Sequence, residues 1–193
     1  MYKPIKSVRE NGSLTTQQPA LQGANAEDYG NIEDIYSPRS RRGVVFMFRK
    51  ICANDKEIYF EMSREFYSSG AALKPIGDDK RERVWEALSQ GDGVLGYIIE
   101  ADGETAGYAL TVPYFSQEAG GKILWVDELF VLPKFRGRGI AKEFFKFSEG
   151  LSGYAALRLE AEPDNERAIK LYKSLGFKPL PYLQMIKTSE DNK

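Results

Sequence analysis

The chain has 193 residues, 42% hydrophobic and 28% charged, with a formal net charge of −1. That is the balance of an ordinary globular domain with room for a core, and it argues against a nucleic-acid binder dominated by phosphate contacts. No apolar run approaches the ~18 residues of a membrane span, the one cysteine (Cys52) excludes an internal disulfide, and the lack of histidine removes Ser-His and Cys-His pairs and most zinc sites. The polar opening residues carry no signal-peptide core, so a cytoplasmic location is expected, with neither membrane nor nucleic acid as partner.

Residues 1–42 are rich in Gln, Asn, Ser, Gly and Pro without a sustained period. They read as a flexible or loosely docked tail, with the basic run Ser37-Pro38-Arg39-Ser40-Arg41-Arg42 as its hinge. The folded domain then occupies 43–193. It opens with a strand over 44–50, followed by a helix to about residue 69 that Asn54 or Asp55 caps and that stripes Ile58, Met62 and Phe66. A second helix over 79–90 presents Val84, Trp85 and Leu88 and stops at Gly91. Strands over 94–101 and 105–113 flank Asp102-Gly103, a strong hairpin signal, and 117–122 is a connection into the next strand.

That next stretch carries the chemistry. Trp125-Val126-Asp127-Glu128-Leu129-Phe130-Val131-Leu132 is an apolar strand, and Pro133-Lys134-Phe135-Arg136-Gly137-Arg138-Gly139-Ile140-Ala141-Lys142 is a basic, glycine-rich loop opening a helix. A strand that feeds backbone N–H groups into a helix N-terminus suits a phosphorylated ligand. The helix aligns Ile140, Phe144, Phe147 and Leu151, with Lys142, Glu143, Lys146 and Glu149 off that stripe. Residues 155–162 alternate as a strand, Pro163-Asp164-Asn165 opens a last helix striped by Ala168, Leu171, Tyr172 and Leu175, and Gly176 closes it. Residues 182–187 suit a final strand. The order describes a mixed α/β or α+β sheet with helices packed on it. The Walker pattern is absent, and a dinucleotide fingerprint from Gly137 would need glycine where Lys142 stands.

The run Arg136-Gly137-Arg138-Gly139-Ile140-Ala141 resembles the Gln/Arg-x-x-Gly-x-Gly/Ala motif of the GCN5-related N-acetyltransferases, the GNAT superfamily. A second block is similar at the family's distance: Leu159-Glu160, then Asn165, Ala168, Leu171-Tyr172 and Leu175-Gly176-Phe177. Together they cover about 44–187. The resemblance implies an acyl-CoA N-acyltransferase fold: a mostly antiparallel sheet of six to seven strands, splayed at its centre, with about four helices. It implies an enzyme that moves an acetyl group from acetyl-CoA directly to an amine in a ternary complex, without metal, as monomer or homodimer. A coenzyme-A-binding module with lost or regulatory activity is the alternative.

By the same resemblance, the backbone of Leu129, Phe130 and Val131 binds the pantetheine arm and acetyl group, and Asn165 bonds the arm. Arg136, Gly137, Arg138, Gly139, Ile140, Ala141 and Lys142 hold the pyrophosphate. Tyr172 lies by the sulfur as the proton donor. Asp127 and Glu128, beside an expected bulge, and Glu160, on the adjacent strand with Glu162, are the candidate bases, and a base acting through water is an equal alternative. Phe66, Tyr67, Tyr114 and Phe115 are candidate acceptor-site walls, each with core packing as the plainer reading. Pro179 and Pro181 interrupt any strand directly after Phe177, so the hairpin common there in the family is expected to shrink to one strand.

Overall fold

The computed structural model describes residues 39–41, 43–69, 74–151 and 153–188. In them the chain forms β1 (Arg39–Arg41), β2 (Val44–Lys50), α1 (Lys56–Ser68), α2 (Asp78–Gln90), β3 (Leu95–Ala101), β4 (Glu104–Ser116), β5 (Gly121–Val131), α3 (Ile140–Gly150), β6 (Tyr154–Leu159) and α4 (Glu166–Ser174). The strands lie side by side in sequence order. Neighbours from β1 to β5 are antiparallel, and β6 is parallel to β5. A parallel neighbour cannot be reached by a tight turn, and α3 supplies the crossover. No helix among the described residues is long and apolar enough to cross a membrane.

The four helices match expectation; the strand count does not. The body of the sheet is five strands, and β1 adds only a three-residue pairing at the edge. The expected last strand over 182–187 is absent: those residues pair with no strand, and Leu183, Met185 and Ile186 are 86–89% exposed. Pro179 and Pro181 supply no N–H for a ladder, which outweighs the alternation that follows them. The expected tail, 1–42, lies outside the described residues except for β1, so part of its basic hinge is sheet edge.

Each face of the sheet carries one helix pair. On one, Ile140, Phe144 and Phe145 of α3 pack with Phe46, Phe48, Tyr97, Ile99 and Val126, and Tyr172 of α4 and Leu175 at its C-cap close the margin. On the other, Tyr59, Phe60 and Met62 of α1 pack with Ile98, Tyr108, Leu110 and Phe130, joined by Val84, Trp85 and Leu88 of α2. Burying the ring of a Phe or Tyr in such layers stabilises the fold by roughly 2 kcal/mol each.

Local chemistry fixes the ends. Asp55 stands at the N-cap of α1, its carboxylate accepting from Cys52 N–H at 2.7 Å and from Arg49 at 2.7 and 2.8 Å. Arg49 holds Asp55 down at a pKa of about 2. Gly91 closes α2 in the left-handed region, as expected. Three sequence readings are corrected. The 117–122 connection is a four-residue turn, because β4 and β5 extend to pair Tyr114 with Ile123 and Ser116 with Gly121. Strand β6 ends at Leu159, leaving Glu160 and Glu162 beyond it. Glu143 is buried, since the apolar face of α3 centres on Phe144 and Phe145, and Lys146 pairs with it at 3.2 Å.

Candidate active site

The site begins with a miscount between strands. Leu110 pairs with Glu128 and Thr111 with Val126, which leaves Asp127 opposite no residue of β4. An extra residue reverses the inward–outward alternation beyond it. Val126 and Phe130 would share a face of a regular strand, yet Val126 packs under α3 and Phe130 under α1. The parallel partner ends at the same place, with Val126 opposite Leu159 as the last pair. Beyond it β5 has β4 on one side and an open edge on the other.

Which polar groups face that edge follows from the ladder. Leu132 N–H donates to Ala106 at 2.8 Å, so by alternation Phe130 also turns its N–H and C=O to β4. The contact is close: a Cβ on Gly107 would lie 2.0 Å from the Phe130 carbonyl oxygen. Leu129 and Val131 therefore face the gap. The Val131 carbonyl already accepts from Arg136 Nε at 2.9 Å, and the Phe130 side chain is core.

Because of the reversal, Glu128 enters the layer under α1. It is 8% exposed. Tyr67 donates to its Oε1 at 2.5 Å and Tyr108 to its Oε2 at 2.6 Å. Tyr108 is fully buried, and Tyr59 stacks edge-on against it at 5.2 Å. Arg81, also buried, lies over the Tyr67 ring at 5.9 Å and donates to Asp78 at 2.7 Å and to Ser63 at 3.2 Å. Burial raises the pKa of Glu128, while the two phenols oppose the shift. Burial and the Glu128 contact both raise that of Tyr67.

The other two carboxylates stand at the rim. Asp127 keeps exposed surface, and its pKa is raised first by partial desolvation and then by the charge of Glu160. Glu160 is exposed and accepts from Gln184 Nε2. Tyr114 sits further along the sheet, tilted against Trp125 at 6.1 Å, while Arg158 covers the Trp125 ring at 4.6 Å. Phe115 is 72% exposed, and Phe66 is packed among Tyr67, Tyr108 and Phe130.

At the far end of the open edge lies the glycine-rich loop. Gly137 and Gly139 have φ of 80° and 89°, a region that side chains avoid, and space is open around Gly137. Gly139 caps α3, and the first intrahelical bond from there is Glu143 N–H to the Gly139 carbonyl at 3.1 Å. The amides of Ile140, Ala141 and Lys142 thus point out of the helix start without a helical acceptor. Ile140 itself anchors the turn, its side chain buried. Arg136 and Arg138 are exposed, and Arg138 is tied back to the Lys134 carbonyl at 3.3 Å. Free amides, a glycine with open space around it and two exposed guanidinium groups fit a diphosphate arm.

The sequence profile of the Acetyltransferase (GNAT) family matches residues 56–177. The chain belongs to that family, and with it to the N-acetyltransferases. Among GNAT relatives, it is 27% identical to an aminoglycoside N(6')-acetyltransferase type 1 of Salmonella typhimurium over 52% of this chain and 73% of that one. It is 34% identical to a thialysine N-epsilon-acetyltransferase of Bos taurus over 45% of this chain and 55% of that one. Its fold is similar to that of AAC(6')-Iy in complex with the bisubstrate analog CoA-S-monomethyl-acetylneamine (TM-score 0.62, 21% identity, 74% of this chain and 97% of that one). A possible acetyltransferase from Clostridium difficile 630 is similar too (TM-score 0.64, 17% identity, 74% of this chain and 97% of that one).

Two further residues of this GNAT domain sit on α4. Asn165 is its N-cap, with its side-chain oxygen accepting from Ala168 N–H at 3.1 Å. Tyr172 is half-buried between Phe145 and Phe177, edge-on to both at 5.5 and 6.0 Å, and burial raises its pKa. The fold thus gathers Asp127, Glu128 and Glu160 at the splay and leaves the two arginines at the outer end. Sequence reasoning missed Tyr108, Arg81, Ser63 and Gly107. The alternation of β4 could have found Tyr108, a phenol on the face that the α1 stripe covers.

Proposed function

We propose that residues 43–193 form the catalytic domain of an acetyl-CoA-dependent N-acetyltransferase that acts on an amine within a ternary complex. The observation carrying this reading is the one-sided edge of β5: amides turned toward the gap, carboxylates at its inner end, a diphosphate-shaped loop at its outer end. Names of relatives that N-acetylate an aminoglycoside and thialysine support an amine acceptor.

Acetyl-CoA, when bound, supplies the activated acetyl group. The amides of Gly137 to Lys142 hold its phosphates, and the side-chain N–H2 of Asn165, whose oxygen is engaged at the cap, bonds its arm. A backbone N–H of Leu129 or Val131 polarises the acetyl carbonyl, a stabilisation that a fixed donor provides without reorganising. Asp127, Glu128 and Glu160 draw in a cationic amine and take up its proton. Tyr172, kept protonated by burial, delivers a proton to the leaving sulfur.

A screen of small amines, aminoglycosides, polyamines and peptides with acetyl-CoA, followed by thiol release, tests this reading. Release that requires an acceptor is expected. Tight coenzyme binding without release for any acceptor would instead favour the coenzyme-binding module.

A further inference from the structure

Glu128 is the most enclosed carboxylate of the site, and both its oxygens are taken. Tyr67 holds Oε1 at 2.5 Å and Tyr108 holds Oε2 at 2.6 Å, so no amine reaches the carboxylate without displacing a phenol. The two phenols differ in access: Tyr108 is 0% exposed, whereas Tyr67 is half-buried on the last turn of α1. Arg81 over the Tyr67 ring and Phe66 edge-on at 5.1 Å fix that ring in place.

We infer that Tyr67 is a catalytic residue, the relay through which the acceptor's proton reaches Glu128. This rests on the transferase reading. The ammonium N–H proton passes to the phenolic oxygen of Tyr67 while the phenol's own proton passes to Oε1 of Glu128. One N–H and one O–H bond break, and two O–H bonds form. The amine keeps its electron pair for attack, Tyr67 is unchanged, and Glu128 becomes a neutral acid that returns its proton to solvent by the same path. Tyr67 never needs to exist as a free phenolate, which its surroundings oppose. The raised basicity of Glu128 assists the transfer.

The test compares Tyr67→Phe with Tyr108→Phe, using an acceptor with which the wild type releases thiol. Wild-type release itself tests the transferase reading, and the ratio of the two variants tests the relay. Each variant removes one donor to the same carboxylate, and acetyl-CoA titration checks that each binds coenzyme as a folded protein. Tyr67→Phe is expected to lower kcat ~100-fold with unchanged coenzyme Kd, and Tyr108→Phe to lower it less than ~10-fold. Glu128→Gln should match Tyr67→Phe, and the double variant should be no slower than either. Equal losses for the two phenols, or wild-type turnover by Tyr67→Phe, would overturn the relay.

Discussion

Strand β5 is two different objects joined at Asp127. Up to Val126 it is an interior strand, with β4 on one side and β6 on the other, and its buried residues Leu124 and Val126 do nothing but pack. After Asp127 it has one neighbour, its inward residues change layer, and Glu128 is held by hydrogen bonds rather than by apolar contact. The difference teaches that an edge can be made inside a sheet. Two strands that diverge after a bulge leave unpaired amides in the middle of a rigid fold, where an exposed sheet margin would offer them only to other chains.

Four substitutions and one titration test that contrast. Gly107→Ala has the largest expected effect: the added Cβ meets the Phe130 carbonyl, backbone that cannot move aside as a side chain does. It should remove nearly all thiol release, and turnover above a tenth of wild type would show that the outer half of β5 needs no exact seat on β4. Leu124→Ala, in the inner half, should lower stability by ~3 kcal/mol in denaturant titration while leaving kcat near wild type at low temperature. Tyr172→Phe should reduce kcat ~100-fold and leave coenzyme Kd within a factor of about three. Unchanged turnover would mean that another group protonates the sulfur. Ala141→Leu should weaken coenzyme binding ~10-fold, about 1.4 kcal/mol, by filling the approach to the loop, with calorimetry as the measure.

The smallest effect is in pH. Arg49 depresses the Asp55 pKa to about 2, so the pair's contribution is complete above the usual aspartate value and is lost as pH falls through the depressed one. Asp55→Asn should remove acid sensitivity between about pH 4 and 2. Equal acid unfolding of variant and wild type would place the sensitivity elsewhere, remote from β5.

Much of this was legible in the sequence where the signal is local. The strand over 44–50, Gly91 and Gly176 as helix stops and the run Pro163-Asp164-Asn165 as a helix start are fixed by period or by local conformational preference, and the structure reproduces each. What depends on pairing across the chain was not. Nothing near Asp127 says that it lies opposite a gap, since that follows from how Leu110 and Thr111, distant in sequence, align with β5. Nothing near Glu128 names Tyr67 and Tyr108, 61 and 20 residues away. Glu143 misled for the same reason: its burial is decided by the sheet beneath α3, not by its own helix period.

The bulge also makes the domain sensitive to counting. Giving Asp127 a partner, by inserting one residue between Leu110 and Thr111 of β4, would restore a regular alternation along β5, so that, with Val126 in place, Glu128 would turn to the α3 side and Leu129 would take its place under α1. Composition would hardly change, and the strand would remain apolar enough to fold into the sheet. The chemistry would nonetheless change layers, which makes the one-residue excess of β5 over β4, as much as any side chain on either strand, an inherited part of the site.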